Sequence, residues 1–155
     1  MEGAVRAAVH ALKYQNLRAL APTLGQLLGS HILEIALPAD LVVPVALHTK
    51  RQRSRGYNQS LLLAQEAGRV AGLPVAEGAL RRIRHTPAQA QRARQEERWA
   101  NVADAFEAEV GCVKDRGILL IDDVCTTGAT LEACSLALKQ AGASRVWGVA
   151  LAREV

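Results

Sequence analysis

The sequence predicts one α/β domain spanning residues 1–155, a central parallel sheet flanked by helices, and three observations carry that reading. Short continuous apolar runs at 41–47 (LVVPVAL), 118–121 (ILLI, running straight into two acids) and 146–152 (VWGVALA) read as strands buried on both faces. The last two are separated by one helix-patterned stretch with short connections, a βαβ unit that implies parallel strands and a right-handed crossover. A length of 155 residues suits one sizeable core. That core is aliphatic, because half the residues are apolar and only 3% are aromatic.

The elements follow in chain order. Val5, Ala8, Val9 and Leu12 recur at helical spacing, and a second such pattern runs from Leu17 to Leu28 with Gly29 as its expected stop. The run at 41–47 is a strand that ends or turns irregular at Pro44, which has no N–H for a ladder. Beyond the basic stretch KRQRSRGYN, a helix is expected from Asn58 to about Val70, capped by Asn58 and closed by Gly72 and Pro74. The stretch from Arg81 to Asn101 is polar and rich in Gln and Arg, readable as an exposed helix or a mobile loop of the kind that serves as a lid. Residues 118–124 form the clearest strand. Gly128 to Ala141 reads as a helix ended by Gly142, and 146–152 is the last strand.

Composition excludes several classes. No apolar run is long enough to span a bilayer, and the N-terminus lacks a signal-peptide layout, so the cytoplasm is the expected compartment. Cys112, Cys125 and Cys134 give an odd count without CxxC spacing, which argues against a disulfide scaffold or zinc module. His10, His31, His48 and His85 show no ligand spacing, and no residue is assigned to a metal. The net charge of +4 is uneven. Residues 48–98 carry eleven basic and four acidic side chains, a net +7, which leaves −3 for the rest of a +4 chain. That segregation points to nucleic acid or a phosphorylated small molecule, unless it is simply a solvated face.

The segment ILLIDDVCTTGAT at 118–130 holds the chemistry. A buried strand delivers Asp122 and Asp123 to its C-terminal end, where open α/β sheets bind ligands. A short Thr-rich loop with Gly128 then opens onto a helix N-terminus, whose N–H groups and positive dipole end favour an anion. The loop suits a monophosphate, and the acids suit sugar hydroxyls or a divalent cation. Together they suit a phosphorylated sugar. A P-loop and a dinucleotide fingerprint are disfavoured, because neither GK[ST] nor a strand followed by GxGxxG is present.

This segment resembles the 5-phosphoribosyl-1-diphosphate (PRPP) motif of type I phosphoribosyltransferases. More narrowly, the chain resembles the ComF family of competence-associated phosphoribosyltransferase-like proteins. HALKYQ at 10–15, VPVAL at 43–47, RQRSRGYNQSLLLA at 51–64, RRIRHTPAQAQRARQEERWANVADAF at 81–106 and ALARE at 150–154 carry that likeness. The resemblance implies a type I phosphoribosyltransferase fold with a flexible flap at about 81–101. It implies that Asp122 and Asp123 hold the ribose hydroxyls, and that the PRPP site runs through Val124, Cys125, Thr126, Thr127, Gly128, Ala129 and Thr130. The segment after VPVAL becomes the pyrophosphate loop, with Arg53, Arg55 and Gly56 beside the diphosphate, and Arg84, Gln89 and Arg98 fall in the flap. Magnesium (Mg2+) is the implied cofactor, bound mainly through PRPP oxygens and water. Many ComF proteins carry an N-terminal four-cysteine zinc module; nothing of that kind precedes 1–11, so either this member lacks it or the chain starts after it.

The implied reaction displaces pyrophosphate at the anomeric carbon, with the protein positioning groups and stabilising charge. No pattern identifies the acceptor, a nucleobase or an amine. Three functions stand side by side: a magnesium-dependent phosphoribosyltransferase, a PRPP-binding protein without turnover, and a DNA-uptake partner using the 48–98 segment. DNA, the competence machinery and a second copy of the chain are the further partners in view. Cys125 is read as filler and Cys134 as core, while Tyr57 and Trp99 either stack on a base or pack.

Overall fold

The computed structural model describes residues 4–15, 17–84 and 105–153. Helix α1 (Ala4–Tyr14) leads through a 3-10 turn (Arg18–Leu20) into α2 (Ala21–Ile35), followed by strand β1 (Leu41–Pro44). The short α3 (Thr49–Arg55), α4 (Gln59–Ala71), β2 (Leu80–Arg82), β3 (Phe106–Ala108) and a single turn α5 (Val110–Val113) come next. Strand β4 (Gly117–Cys125), α6 (Ala129–Gln140) and β5 (Arg145–Arg153) complete the described order.

The sheet is parallel, in the order β1-β4-β5, with Leu41 opposite Ile118 and Ile118 opposite Val146. The predicted βαβ unit is β4-α6-β5. Strands β2 and β3 form a separate antiparallel pair. The central strand β4 alternates between two cores, as the two-residue period of a strand requires. Ile118 and Leu120 pack with Leu41 and Val43 against α6, α5 and the β2–β3 pair. Leu119 and Ile121 pack with Val42 against α1, α2 and α4. Helices thus cover both faces, the expected central parallel sheet flanked by helices, and this is why β4 reads as an unbroken apolar run.

Several boundaries depart from expectation. Strand β1 ends at Pro44, although the Val45 N–H still donates to the Ile121 carbonyl at 2.9 Å. Gly29 does not stop α2, which continues six residues to Ile35 before Ala36 turns left-handed at φ 47°. Gly29 is instead a contact residue: a Cβ there would lie 2.6 Å from Val70 Cβ, and one at Gly25 would lie 2.5 Å from Glu66 Cβ. Small residues on α2 let its backbone lie close against α4. The segment that the resemblance implies as a pyrophosphate loop is helical, because His48 Nδ1 caps it by accepting the Lys50 N–H and Gly56 closes it at φ 81°. Helix α4 begins and ends where expected, with Asn58 Oδ1 accepting the Ser60 N–H and Gly72 at its C-terminus. Of the expected flap, Arg81 and Arg82 pair in β2 and Arg84 is exposed; Gln89 and Arg98 lie outside the described residues.

Gly29→Ala should lower stability by about 1–3 kcal/mol in urea unfolding, since the added methyl overpacks the α2–α4 seam. Gly111, with open space around it, should tolerate the same change to within about 0.5 kcal/mol.

Candidate active site at the end of the central strand

Strand β4 keeps Ile118 to Ile121 fully buried and then places Asp122 and Asp123 at its C-terminal end, only 8% and 3% exposed. Burying two adjacent carboxylates is costly unless hydrogen bonds or opposite charges offset it. Asp122 Oδ1 accepts from the Ser60 hydroxyl at 3.0 Å and from the Asp123 N–H at 2.8 Å. Asp123 Oδ1 lies 3.1 Å from Lys13 Nζ. Its other oxygen, Oδ2, is buried and has no hydrogen-bond partner among the described residues. Burial and then the Asp123 charge push the Asp122 carboxyl up to about 6, against the pull of the Asp123 N–H, Ser60 and Lys13.

A second set of groups approaches Asp122 from β2 and α6. The Arg82 guanidinium lies 5.3 Å from the Phe106 ring centroid. Its pKa is lowered by burial and by Arg51, an effect that the nearby Asp122 and Cys134 oppose. Burial and then Asp122 hold the Cys134 thiol well above its ordinary range, so Cys134 is a neutral core residue, as expected.

Beyond β4 the chain turns outward. Val124 and Cys125 are half-buried, Thr126 and Thr127 are exposed, and Gly128, Ala129 and Thr130 are intermediate. Gly128 stands at φ 83° with nothing within 4 Å of where a Cβ would be, so the loop backbone is open to a ligand. Thr127 Oγ1 accepts a long 3.4 Å bond from the Ala129 N–H. The α6 ladder begins with Glu132 N–H on the Gly128 carbonyl, so the amides ahead of it face the loop. Carboxylates, a glycine turn and a helix N-terminus therefore lie consecutively at one end of the sheet, the arrangement expected for a phosphorylated sugar.

The RGYNQS segment lies against this site in a way its residue types alone do not announce. Arg55 donates to Gln59 Oε1, and the Asn58 amide donates to the Val45 carbonyl at 3.0 Å. Tyr57 is buried in the core and donates its hydroxyl to the Leu12 carbonyl, and Arg18 lies 4.5 Å over its ring. Tyr57 is thus packed, the second of its two expected roles. Arg53 and Gly56 are exposed, with the Gly56 carbonyl taking a 3.5 Å bond from Arg18. Ser60, Lys13 and Arg82, which interact with the acids, are not singled out as site residues by the sequence pattern. Ser60 and Lys13 nevertheless lie inside the RGYNQSLLLA and HALKYQ stretches, and Arg82 is among the eleven basic residues of the middle segment.

No family model matches the chain. It is 33% identical to competence protein F of Haemophilus influenzae over 93% of its own length and 66% of that protein's. It is 35% identical to the DNA utilization protein YhgH of Escherichia coli over 90% of its own length and 63% of that protein's. The chain therefore spans slightly less than two thirds of these relatives. Among solved structures, the glutamine PRPP amidotransferase of B. subtilis matches 86% of the chain and 26% of that enzyme, at TM-score 0.60 and 22% identity. The purine phosphoribosyltransferase of Pyrococcus horikoshii matches 86% of the chain and 73% of its own, at TM-score 0.54 and 18% identity. At these identities the structural matches establish the fold.

Asp122 also sets a pH dependence. Its folded pKa is raised, so the ionised form is penalised, and its stabilising contribution is present below about 4 and lost as pH rises through about 6. Asp122→Asn should therefore melt higher than the parent at pH 8, with the gap closing below about pH 4. Paired melting curves across pH 3.5–8 would check it.

Proposed function

We propose that this chain, a ComF-type homologue of competence protein F with the type I phosphoribosyltransferase fold, binds PRPP with magnesium and transfers its phosphoribosyl group to an acceptor, releasing pyrophosphate. The observation that carries the reading is the succession at the end of β4: two buried carboxylates, then an open glycine turn, then the N-terminus of α6. Asp122 and Asp123 accept from the ribose hydroxyls. Thr126 to Thr130 cradle the 5-phosphate with backbone amides and hydroxyls. In this reading Arg53 and Arg55, carried on α3, and Arg84, just past β2, neutralise the diphosphate.

The donor set suits the magnesium salt of the ligand. Hard oxygen donors are present, including the unpartnered buried Asp123 Oδ2. Among the described residues no group of three His, Cys, Asp or Glu is gathered into a cage. Magnesium, when bound, would be held mainly through PRPP oxygens and water beside the Asp122 and Asp123 carboxylates, and would supply charge neutralisation for the leaving diphosphate. The residues of the chain position the sugar and its phosphate, which is where positioning catalysis acts. The acceptor is a nucleobase or an amine.

A second reading, a non-catalytic accessory of DNA uptake, is favoured by one observation: the basic 49–55 segment forms a solvent-facing helix rather than an open loop. The relatives' names, competence protein and DNA utilization protein, agree with it. Binding through these arginines would fall steeply with salt. No described helix is long and apolar enough to cross a bilayer.

Millimolar PRPP with magnesium should raise the melting temperature, by the equivalent of about 2.7 kcal/mol at a hundredfold excess over Kd, and Asp123→Asn should abolish the shift. No shift in the parent removes the PRPP reading, and an equal shift in the variant removes Asp123 from the site. Pyrophosphate release across a panel of nucleobases and amines then separates transfer from binding alone. If PRPP binds and no acceptor triggers release, the non-catalytic reading stands. Fluorescence anisotropy with single-stranded DNA from 50 to 200 mM salt tests the accessory reading, which a flat response removes.

A further inference from the structure

The two oxygens of Asp123 are in unlike circumstances. Oδ1 is held at 3.1 Å by Lys13 Nζ, while Oδ2 is buried and meets no hydrogen-bond donor among the described residues. The ammonium is delivered by a backbone that is anchored without it. Leu12, the residue before, is fully buried, and its carbonyl accepts from the Tyr57 hydroxyl. Tyr14, the residue after, stacks its ring 5.6 Å from the Arg55 guanidinium and 4.8 Å from His10. Arg18 then ties the following turn to the Gly56 carbonyl. Lys13 is therefore clamped between two neighbours that grip the RGY segment, and its side chain is only 22% exposed.

A carboxylate with one oxygen held by a fixed ammonium cannot rotate freely, and its second oxygen keeps a fixed direction. We propose that Lys13 is a positioning residue for the sugar: by holding Oδ1 it presents Asp123 Oδ2 as the acceptor for a ribose hydroxyl. This rests on the PRPP reading above and adds a residue from α1 to it. Neither of the other two groups at the acids substitutes for Lys13. Ser60 donates to Asp122, and Arg82 acts on Asp122 from β2.

The role is selective by construction. Lys13 acts on the carboxylate that meets the hydroxyls, and the phosphates meet the α6 loop and the arginines. Calorimetric titration of the parent, Lys13→Met and Lys13→Arg with PRPP, ribose 5-phosphate and inorganic pyrophosphate, each with magnesium, reads this difference. Lys13→Met should lose about tenfold in affinity for the two ribose ligands and less than about twofold for pyrophosphate. Lys13→Arg should recover to within about threefold of the parent. Equal losses on all three ligands, or none, overturn the inference. A ligand-free double-mutant cycle of Lys13→Met with Asp123→Asn, read in urea, should show coupling, and zero coupling overturns it as well. A parent protein that takes up no ribose ligand removes the PRPP reading itself, a result visible before any substitution is made.

Discussion

Two adjacent carboxylates, closed off from water at the end of the central strand, are the constraint on which the arrangement of this molecule turns. Ionised side by side they repel, and in a dry setting neither keeps its hydration. The chain meets this from three directions. A hydroxyl from the first turn of α4 and a backbone amide satisfy one oxygen of Asp122, an ammonium from α1 neutralises Asp123, and Arg82 adds positive charge from β2. The hydroxyl and the ammonium come from the face covered by α1, α2 and α4, and Arg82 comes from the opposite face. The carboxylates therefore join elements that the hydrophobic cores alone would only pack together.

The basic helix and the N-terminal helix take their places in the same scheme. Tyr57, Arg18 and Arg55 fasten the end of α1 to the junction between α3 and α4, while Asn58 fastens that junction to the residue just past β1. The cationic and aromatic groups that look from composition like a nucleic-acid surface are in part committed to this internal fastening. Tyr57 is the clearest case, buried in the core with its hydroxyl spent on a helix carbonyl.

Much of the fold was legible because its strongest signals are local. An unbroken apolar run followed by two acids and a glycine specifies strand, turn and helix within 118–130, with no need of distant residues. Burial of Leu41 to Val43 and the end of β1 at Pro44 were legible for the same reason. What was not legible is relational. Ser60 meets Asp122 across 62 positions of sequence, and no pattern near either residue announces the other. Gly29 looked like a helix stop because glycine's conformational freedom is a local property, whereas its use here is the absence of a side chain facing α4. The helix at 49–55 depends on a histidine acting as a cap, which sequence preference for Ser, Thr, Asp or Asn at that place does not suggest.

The alternation of β4 between two cores carries a consequence for the repeated letter at 122 and 123. Successive residues of a strand are presented to opposite layers, so the two acids are distinguished by parity before any partner is considered. Arg82 and Cys134, on β2 and α6, lie to the side of Asp122 and Lys13 of α1 to the side of Asp123, while Ser60 of α4 reaches across to Asp122 from the Lys13 side. A single-residue insertion or deletion upstream in the strand would leave the Asp-Asp pair intact as text, yet hand each carboxylate the other's surroundings. For this molecule the length of the strand leading to the pair is thus as much a part of the site as the pair itself.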